Sequence, residues 1–283
     1  MRKNLLIICI FNLVTLFSYS QVYKGQMEYS RIPVPAAHYQ QEYTFDTTVN
    51  SEAWSSQKKG LNVSFASTDE LFFRSEVPEV QKSLTWKATG WKGERLNIQV
   101  LVWAPDTLNQ VRFLLNDLKN GKGKSIGKDN FSIDMVRYVV SNYPYAAKDV
   151  TCGASPYKNL YLMPDRFEKF DRFQLPGKTL RPVWISVNIP NNTTAGNYKG
   201  TIEVKAENFS TSLQVDLEIQ NQVLPKPTDW KHRLDLWQNP WVIAVENNLK
   251  PWSEEHKLLL KKHLQLYADA GGTYITTYGV NSP

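Results

Sequence analysis

The sequence predicts a mostly β protein: an N-terminal antiparallel β-sandwich followed by the first β-α-β unit of an incomplete (β/α)8 barrel. Three observations carry this. Residues 182–190, 197–207 and 212–220 alternate apolar and polar side chains and are joined by turn residues, as half-buried sandwich strands do. Leu224-Pro225-Lys226-Pro227-Thr228 then puts two prolines in a short polar run, a stiff boundary. Beyond it, residues 232–278 read as strand, helix, strand, and a crossover of that length joins parallel strands. The expected organisation is a leader over 1–20, a sandwich over 21–228 and the start of a barrel over 229–283.

Composition allows a large core. Residues AVILMFWYC make up 42% of the 283 and charged residues 21%, which argues against global disorder. Nine tryptophans and fourteen tyrosines provide flat amphipathic faces that suit sugar rings and equally fill β-sandwich cores.

Met1 to Ser20 has the form of a secretory leader. Arg2 and Lys3 precede an apolar run from Leu5 to Phe17, and Ser18-Tyr19-Ser20 predicts cleavage before Gln21. The run is short for a membrane span, so no integral membrane segment is expected after cleavage. The expected location is therefore outside the cytoplasm: periplasm, outer surface or medium. Loss of the leader removes two positive charges and no negative one, taking the net charge from +6 to about +4. The remaining cations are scattered, except in the Gly-rich stretch from Lys119 to Lys128. That stretch reads as a solvated hairpin tip or a contact for an anionic polymer, and it lacks the phosphate-cradling pattern. No nucleic-acid partner is expected. Only Cys152 survives processing, so no disulfide is available within the chain, and no cofactor or metal is expected.

Taken in order, residues 21–94 are the least legible, although Leu61 to Ala66 alternates as a strand and Ser83 to Trp91 carries Leu84, Trp86 and Ala88 on one face. Arg95 to Trp103 is a strand with Leu96, Ile98, Val100 and Val102 on one face and Asn97, Gln99 and Trp103 on the other. Val111 to Leu118 and Phe131 to Asn142 are further strand candidates. Tyr143 to Pro176, with four prolines, reads as a long excursion. The alternating strands follow, with Asn191 to Gly196 as a turn.

Trp230 to Pro240 reads as a short buried strand, Leu234 and Leu236 supplying its apolar content and Pro240 ending it. A loop follows to Trp252. Ser253 is then an N-cap, Glu254 and Glu255 suit the positive end of a helix, and Gly271 stops it. Leu259, Leu260, His263, Leu264, Tyr267 and Ala270 keep helical spacing, and Thr273 to Tyr278 is a second strand. A complete barrel takes about 250 residues. Only 55 follow residue 228, so the barrel is expected to be truncated at Pro283.

In a barrel, side chains at the C-terminal ends of the strands line the active site. The substrate-binding candidates are therefore Asp235, Trp237, Gln238, Asn239 and Trp241 around the first strand, and Tyr278 after the second, with Asn281 beyond it. Asp235 shares a strand face with Trp237. Its roles are to position a sugar hydroxyl or an Arg, or to be a buried partner of Arg233 or His232. Trp237 and Trp241 are pyranose platforms or core residues.

Four stretches, taken together, carry a resemblance: 182–190 (Pro-Val-Trp-Ile-Ser-Val-Asn-Ile-Pro), 195–200 (Ala-Gly-Asn-Tyr-Lys-Gly), 234–240 (Leu-Asp-Leu-Trp-Gln-Asn-Pro) and 252–256 (Trp-Ser-Glu-Glu-His). In this ordered set the chain resembles glycoside hydrolase family 123, a family of exported bacterial enzymes with a sandwich followed by a catalytic barrel. The resemblance implies a β-N-acetylgalactosaminidase acting on a glycan. It implies a retaining mechanism in which the substrate's acetamido oxygen attacks the anomeric carbon, one carboxylate orients the acetamido N–H, and an adjacent carboxylic acid protonates the leaving oxygen. The family places an Asp-Glu pair on a later barrel strand, which is expected to lie beyond Pro283. Here the one such step, Asp69-Glu70, lies in the sandwich and does not match that position. No catalytic residue is therefore assigned, and the chain by itself is expected to be inactive. The alternative is a secreted β-sandwich that binds carbohydrate or another protein without catalysis.

Overall fold

The computed structural model describes residues 50–141 and 161–277. These fall into two compact units, one of residues 50–141 and 161–224, the other of residues 225–277.

The first unit opens with a short helix, α1 (Ser51–Ser55), whose N-cap Asn50 accepts a bond from the amide of Ala53 at 3.1 Å. The strands follow in order: β1 (Asn62–Ala66), β2 (Thr85–Lys92), β3 (Arg95–Ala104), β4 (Leu108–Leu115), β5 (Leu118–Lys119), β6 (Ser125–Ile126) and β7 (Phe131–Ser141). Beyond residue 160 come β8 (Tyr161–Lys169), β9 (Phe173–Leu175), β10 (Thr179–Asn188), β11 (Gly196–Ala206) and β12 (Phe209–Val223). They form a five-stranded sheet in the order β1-β3-β10-β7-β8 and a seven-stranded one built on β2-β12-β11-β4-β9, with β5 and β6 attached at β11. Inward side chains of both sheets make one core: Val100, Val102, Val183, Ile185 and Val187 from the first, Tyr198, Ile202, Val204, Leu213 and Leu217 from the second. Period-two alternation dictates this, because every second residue of β10, β11 and β12 must turn the same way.

A second, smaller core lies on the other face of the five-stranded sheet, where Trp54 of α1 packs with Ala66, Phe72, Leu101, Trp103 and Leu180. Trp54 is fully buried, and its indole donates to the Ser75 carbonyl at 2.9 Å.

The sandwich reading is correct in outline, and the structure adds three details. β2 runs parallel to β12, so the sheets are not wholly antiparallel. Of the three alternating strands, β10 belongs to one sheet and β11 and β12 to the other. The excursion after 142 contains a full strand, β8, at the sheet edge, where Pro164 sits beside a register shift opposite Arg137 and Tyr138. An edge tolerates the missing N–H. Cys152 lies outside the described residues. The basic stretch at 119–128 is a hairpin tip, in which the Asn120 side chain accepts the amides of Lys122 and Lys124 at 2.9 and 2.8 Å.

The second unit contains β13 (Trp237–Gln238), α2 (Pro240–Glu246), α3 (Glu254–Asp269) and β14 (Thr276–Thr277), with β13 and β14 parallel as the crossover length requires. Leu234 and Gly272 add an isolated parallel bridge. The expected buried strand over 230–240 is corrected: Leu236 is 50% exposed and Trp237 74%. Among the described residues, no third strand joins this two-residue pair. The expected loop to Trp252 is also corrected, since it holds α2. Asn239 caps that helix and Pro240 occupies its first position, where a missing N–H costs nothing. Ser253 caps α3 as read, accepting from the amide of His256 at 3.3 Å. The buried α3 side chains are His256 and Tyr267, whereas His263 and Ala270 are exposed. The end of the second expected strand and everything from Tyr278 to Pro283 lie outside the described residues. What the described residues hold here is one β-α-β unit, not a closed barrel.

Candidate functional site

The candidate site is the polypeptide around the end of β13. Tyr267 sets the position of the segment leading into it. Its hydroxyl donates to the Leu234 carbonyl at 2.6 Å and accepts the Leu236 amide at 3.1 Å, so one side chain from α3 bonds two backbone groups of the incoming chain. Gly272 leaves room for the Tyr267 ring, which a Cβ at 272 would strike. Gly271, at φ +92, takes the left-handed turn that ends the helix.

Past the strand, the Asn239 Oδ1 accepts the amides of Trp241 and Val242 at 3.2 and 3.3 Å. That oxygen is occupied in capping, which leaves Nδ2 as the polar function Asn239 can offer a ligand. His256 then ties the helices together. The Trp252 amide donates to its Nδ1 at 2.8 Å, so the ring proton sits on Nε2, which donates to the Pro240 carbonyl at 2.8 Å. The ring is fully buried. Trp252, at the positive φ of 66°, stacks edge-on to Trp241 at 5.3 Å between centroids and lies 5.5 Å from the His256 ring. The Trp241 Nε1 is buried without a hydrogen-bond partner among the described residues. Trp241 is thus held as part of a packed aromatic cluster.

Asp235 and Thr276 meet across the two segments, the Thr276 hydroxyl donating to Asp235 Oδ2 at 3.1 Å. Asp235 is exposed, and neither Arg233 nor His232 forms an ion pair with it among the described residues. Gln238 folds back on the chain, its Nε2 donating to the Leu236 carbonyl at 3.2 Å. Asp235, Trp237, Gln238 and Asn239 therefore lie along one continuous stretch, with Trp237 the most open. Tyr278, Asn281 and Pro283 lie outside the described residues. The Asp-Glu pair expected beyond Pro283 has no counterpart in this site. No acidic step of that kind occurs between residues 229 and 283.

The described residues of the site offer hydrogen-bonding groups and aromatic surface. Among the described residues, the carboxylates with a resolved shift are displaced downward. Glu255 at the start of α3 is held below its ordinary value by its own backbone N–H and the Ser253 hydroxyl, and Glu203 by Ser210 and Lys205. Asp69 and Glu70 are exposed in the loop after β1. No cluster of metal-ligating side chains occurs among the described residues. His256 and Tyr267 are the organising residues that sequence reading missed or took for mere core. The signal for His256 was present: a histidine at the third position of a capped first turn, close to a tryptophan.

The described residues give a β-sandwich and, after it in sequence, a parallel β-α-β segment. Comparison with known families identifies this arrangement. The model of the glycoside hydrolase 123 N-terminal domain matches residues 65–206, and that of the glycoside hydrolase 123 catalytic domain matches residues 237–283. The chain belongs to glycoside hydrolase family 123. Among solved structures it is similar to a family 123 glycoside hydrolase from Clostridium perfringens, described for glycolipid glycan hydrolysis, at 25% identity and a TM-score of 0.67. That match covers 76% of this chain and 37% of the clostridial one, so this chain spans little more than a third of that enzyme. A PapD-like domain of human CEP192 matches at 10% identity and a TM-score of 0.29, covering 65% of this chain and 96% of that one. No curated protein matches the sequence.

Proposed function

We propose that this chain is the N-terminal part of an exported glycosidase whose intact form removes terminal β-linked N-acetylgalactosamine from glycans. The observation that carries the proposal is the joint match of both family domains in their expected order, with the second beginning at Trp237, the first residue of β13. The leader over 1–20 directs export. Residues 229–283 begin a (β/α)8 catalytic barrel, and Asp235, Trp237, Gln238, Asn239, Trp241 and Tyr278 line one side of its mouth.

In this reading Trp237 offers an open indole to the apolar face of the sugar, while Asp235 and Gln238 bond its hydroxyls. The acetamido group of the substrate acts as the internal nucleophile. A carboxylate pair, supplied by barrel strands that follow Pro283 in the intact enzyme, orients it and protonates the leaving oxygen. Residues 229–283 contain no adjacent Asp-Glu step. An aryl β-N-acetylgalactosaminide assay tests this reading. We expect no turnover by residues 21–283 and release of aryl alcohol once a complete family 123 catalytic domain is present. Turnover by 21–283 that vanishes on changing Asp69 or Glu70 would relocate the centre to the sandwich.

A further inference from the structure

The outer face of the five-stranded sheet is covered at one end by α1 and the second core; at the more open end Asn97, Phe167 and Lys169 are exposed and Trp184 half-buried, while Ser186, Asp134 and Gln99 are buried. Its composition at the open end follows from register. Val183, Ile185 and Val187 point into the sandwich, so Trp184 and Ser186 must point out. Trp184 lies opposite Gln99 on one side and Asp134 on the other; Ser186 lies opposite Asn97 and Ser132. Asp134 in turn faces Lys169, and Phe167 stands two residues along the same edge strand. The result is a small surface of two aromatic rings set among polar groups.

The rings of Phe167 and Trp184 are 5.2 Å apart between centroids and tilted by 40°, and Phe167 is 53% exposed. The polar groups are already fixed. The Trp184 indole donates to Asn97 Oδ1 at 3.2 Å, the Ser186 hydroxyl donates to the same oxygen at 2.7 Å, and Arg95 donates to Ser186 at 3.0 Å. On the other flank Lys169 pairs with Asp134 at 2.8 Å and bonds the Ser132 hydroxyl at 2.6 Å, while Ser132 also bonds Asp134. Both bonds at Asn97 use its oxygen, which leaves the Nδ2 group to a ligand.

We propose that this half-face binds a pyranose of a glycan chain, stacked on Phe167 beside the half-buried Trp184 and hydrogen-bonded by the exposed Asn97 amide and Lys169 ammonium. Two features select a sugar over a protein. Among the described residues, Phe167 is the one strongly exposed large apolar side chain on this half of the sheet, far less than a protein interface requires. The exposed groups around the rings are the Asn97 amide, the Lys169 ammonium and the Arg95 guanidinium, donors that match the hydroxyl oxygens of a sugar. The ordered network lowers the entropy lost on binding. The proposal does not depend on the catalytic reading, because every residue it uses belongs to the sandwich.

The test is a titration of the full chain with the methyl glycosides of galactose, N-acetylgalactosamine, glucose, N-acetylglucosamine and mannose, each to about 50 mM, following the tryptophan indole N–H resonances by NMR. The Trp184 resonance is identified by its absence in Trp184→Phe. We expect at least one glycoside to shift it with a dissociation constant of roughly 1–20 mM. Phe167→Ala and Asn97→Ala should each weaken that binding by roughly fivefold or more. Phe167 is exposed enough for its truncation to leave the fold intact, which circular dichroism verifies. A Trp184 resonance unmoved by all five glycosides would overturn the proposal, as would undiminished binding by folded Phe167→Ala.

Discussion

The Nε2 of His256 lies 2.8 Å from the carbonyl oxygen of Pro240, joining the first turn of α3 to the first residue of α2. Together with the Trp252 amide on Nδ1, this makes one buried ring the connection between the chain leaving β13 and the helix that returns. His256→Ala removes both bonds, strands two backbone groups and leaves a void. The expected cost is about 2–4 kcal/mol within residues 225–277. Hydrogen exchange measures it, as faster exchange of amides at 240–256 with the sandwich amides unchanged. Equal protection in both proteins would return His256 to a passive role.

Gly200 is a packing requirement in β11. A Cβ there would lie 2.5 Å from Leu118 Cδ2 and 3.2 Å from the Asp117 carbonyl. Gly200→Ala must therefore displace β5, at roughly 1–3 kcal/mol. Thermal unfolding should show a lower Tm, and Gly200→Ala combined with Leu118→Ala should lose less stability than the sum of the two single losses.

Asp235 and Trp237 are both exposed, so their truncation removes little packing. In the intact enzyme, Asp235→Asn and Trp237→Ala should each lower kcat/KM by tenfold or more, about 1.4 kcal/mol, with thermal unfolding nearly unchanged. A fall in activity that merely tracks a fall in stability would assign both to structure.

Glu168 supplies a pH dependence. Its hydrogen bonds from Arg137, at 2.9 and 2.7 Å, hold its carboxyl below the ordinary value of 4.5, against a smaller upward push from burial. A folded-state value below the unfolded one means that the stabilisation is full above about pH 4.5 and is lost as pH falls through the lowered value. Glu168→Gln should therefore lower stability at neutral pH and matter progressively less as the pH falls below the ordinary carboxylate range, read by urea unfolding across that range. The group is partly solvated, which keeps the effect modest.

The proposed leader over residues 1–20 makes a direct prediction. Protein recovered from outside the cytoplasm should begin at or within a few residues of Gln21 by N-terminal sequencing. An intact Met1 on exported protein would refute cleavage.

The sequence alone determined which residues of β3, β10, β11 and β12 face the sandwich core, because a strand's period of two depends only on the chain itself; that Leu101, Trp103 and Leu180 face a second core depended on α1 covering the other side. It also determined the Ser253 cap and the parallel direction of β13 and β14, since both follow from short-range rules of helix ends and crossover length. Pairing was decided elsewhere. Alternation marks a face but not a neighbour, so nothing local placed β10 beside β3, β11 beside β12, or β2 parallel to β12. β8 escaped notice because an edge strand needs only one partner and tolerates Pro164. Around the candidate site, Asn239-Pro240 reads equally as a strand terminator or as a helix start, and its role here is to start α2. Leu236 and Trp237 were legible as apolar but not as exposed, since exposure depends on whether other elements cover them. The His256 and Tyr267 bonds required the tertiary structure, because each joins groups that meet only when α3 packs back on the chain that precedes it.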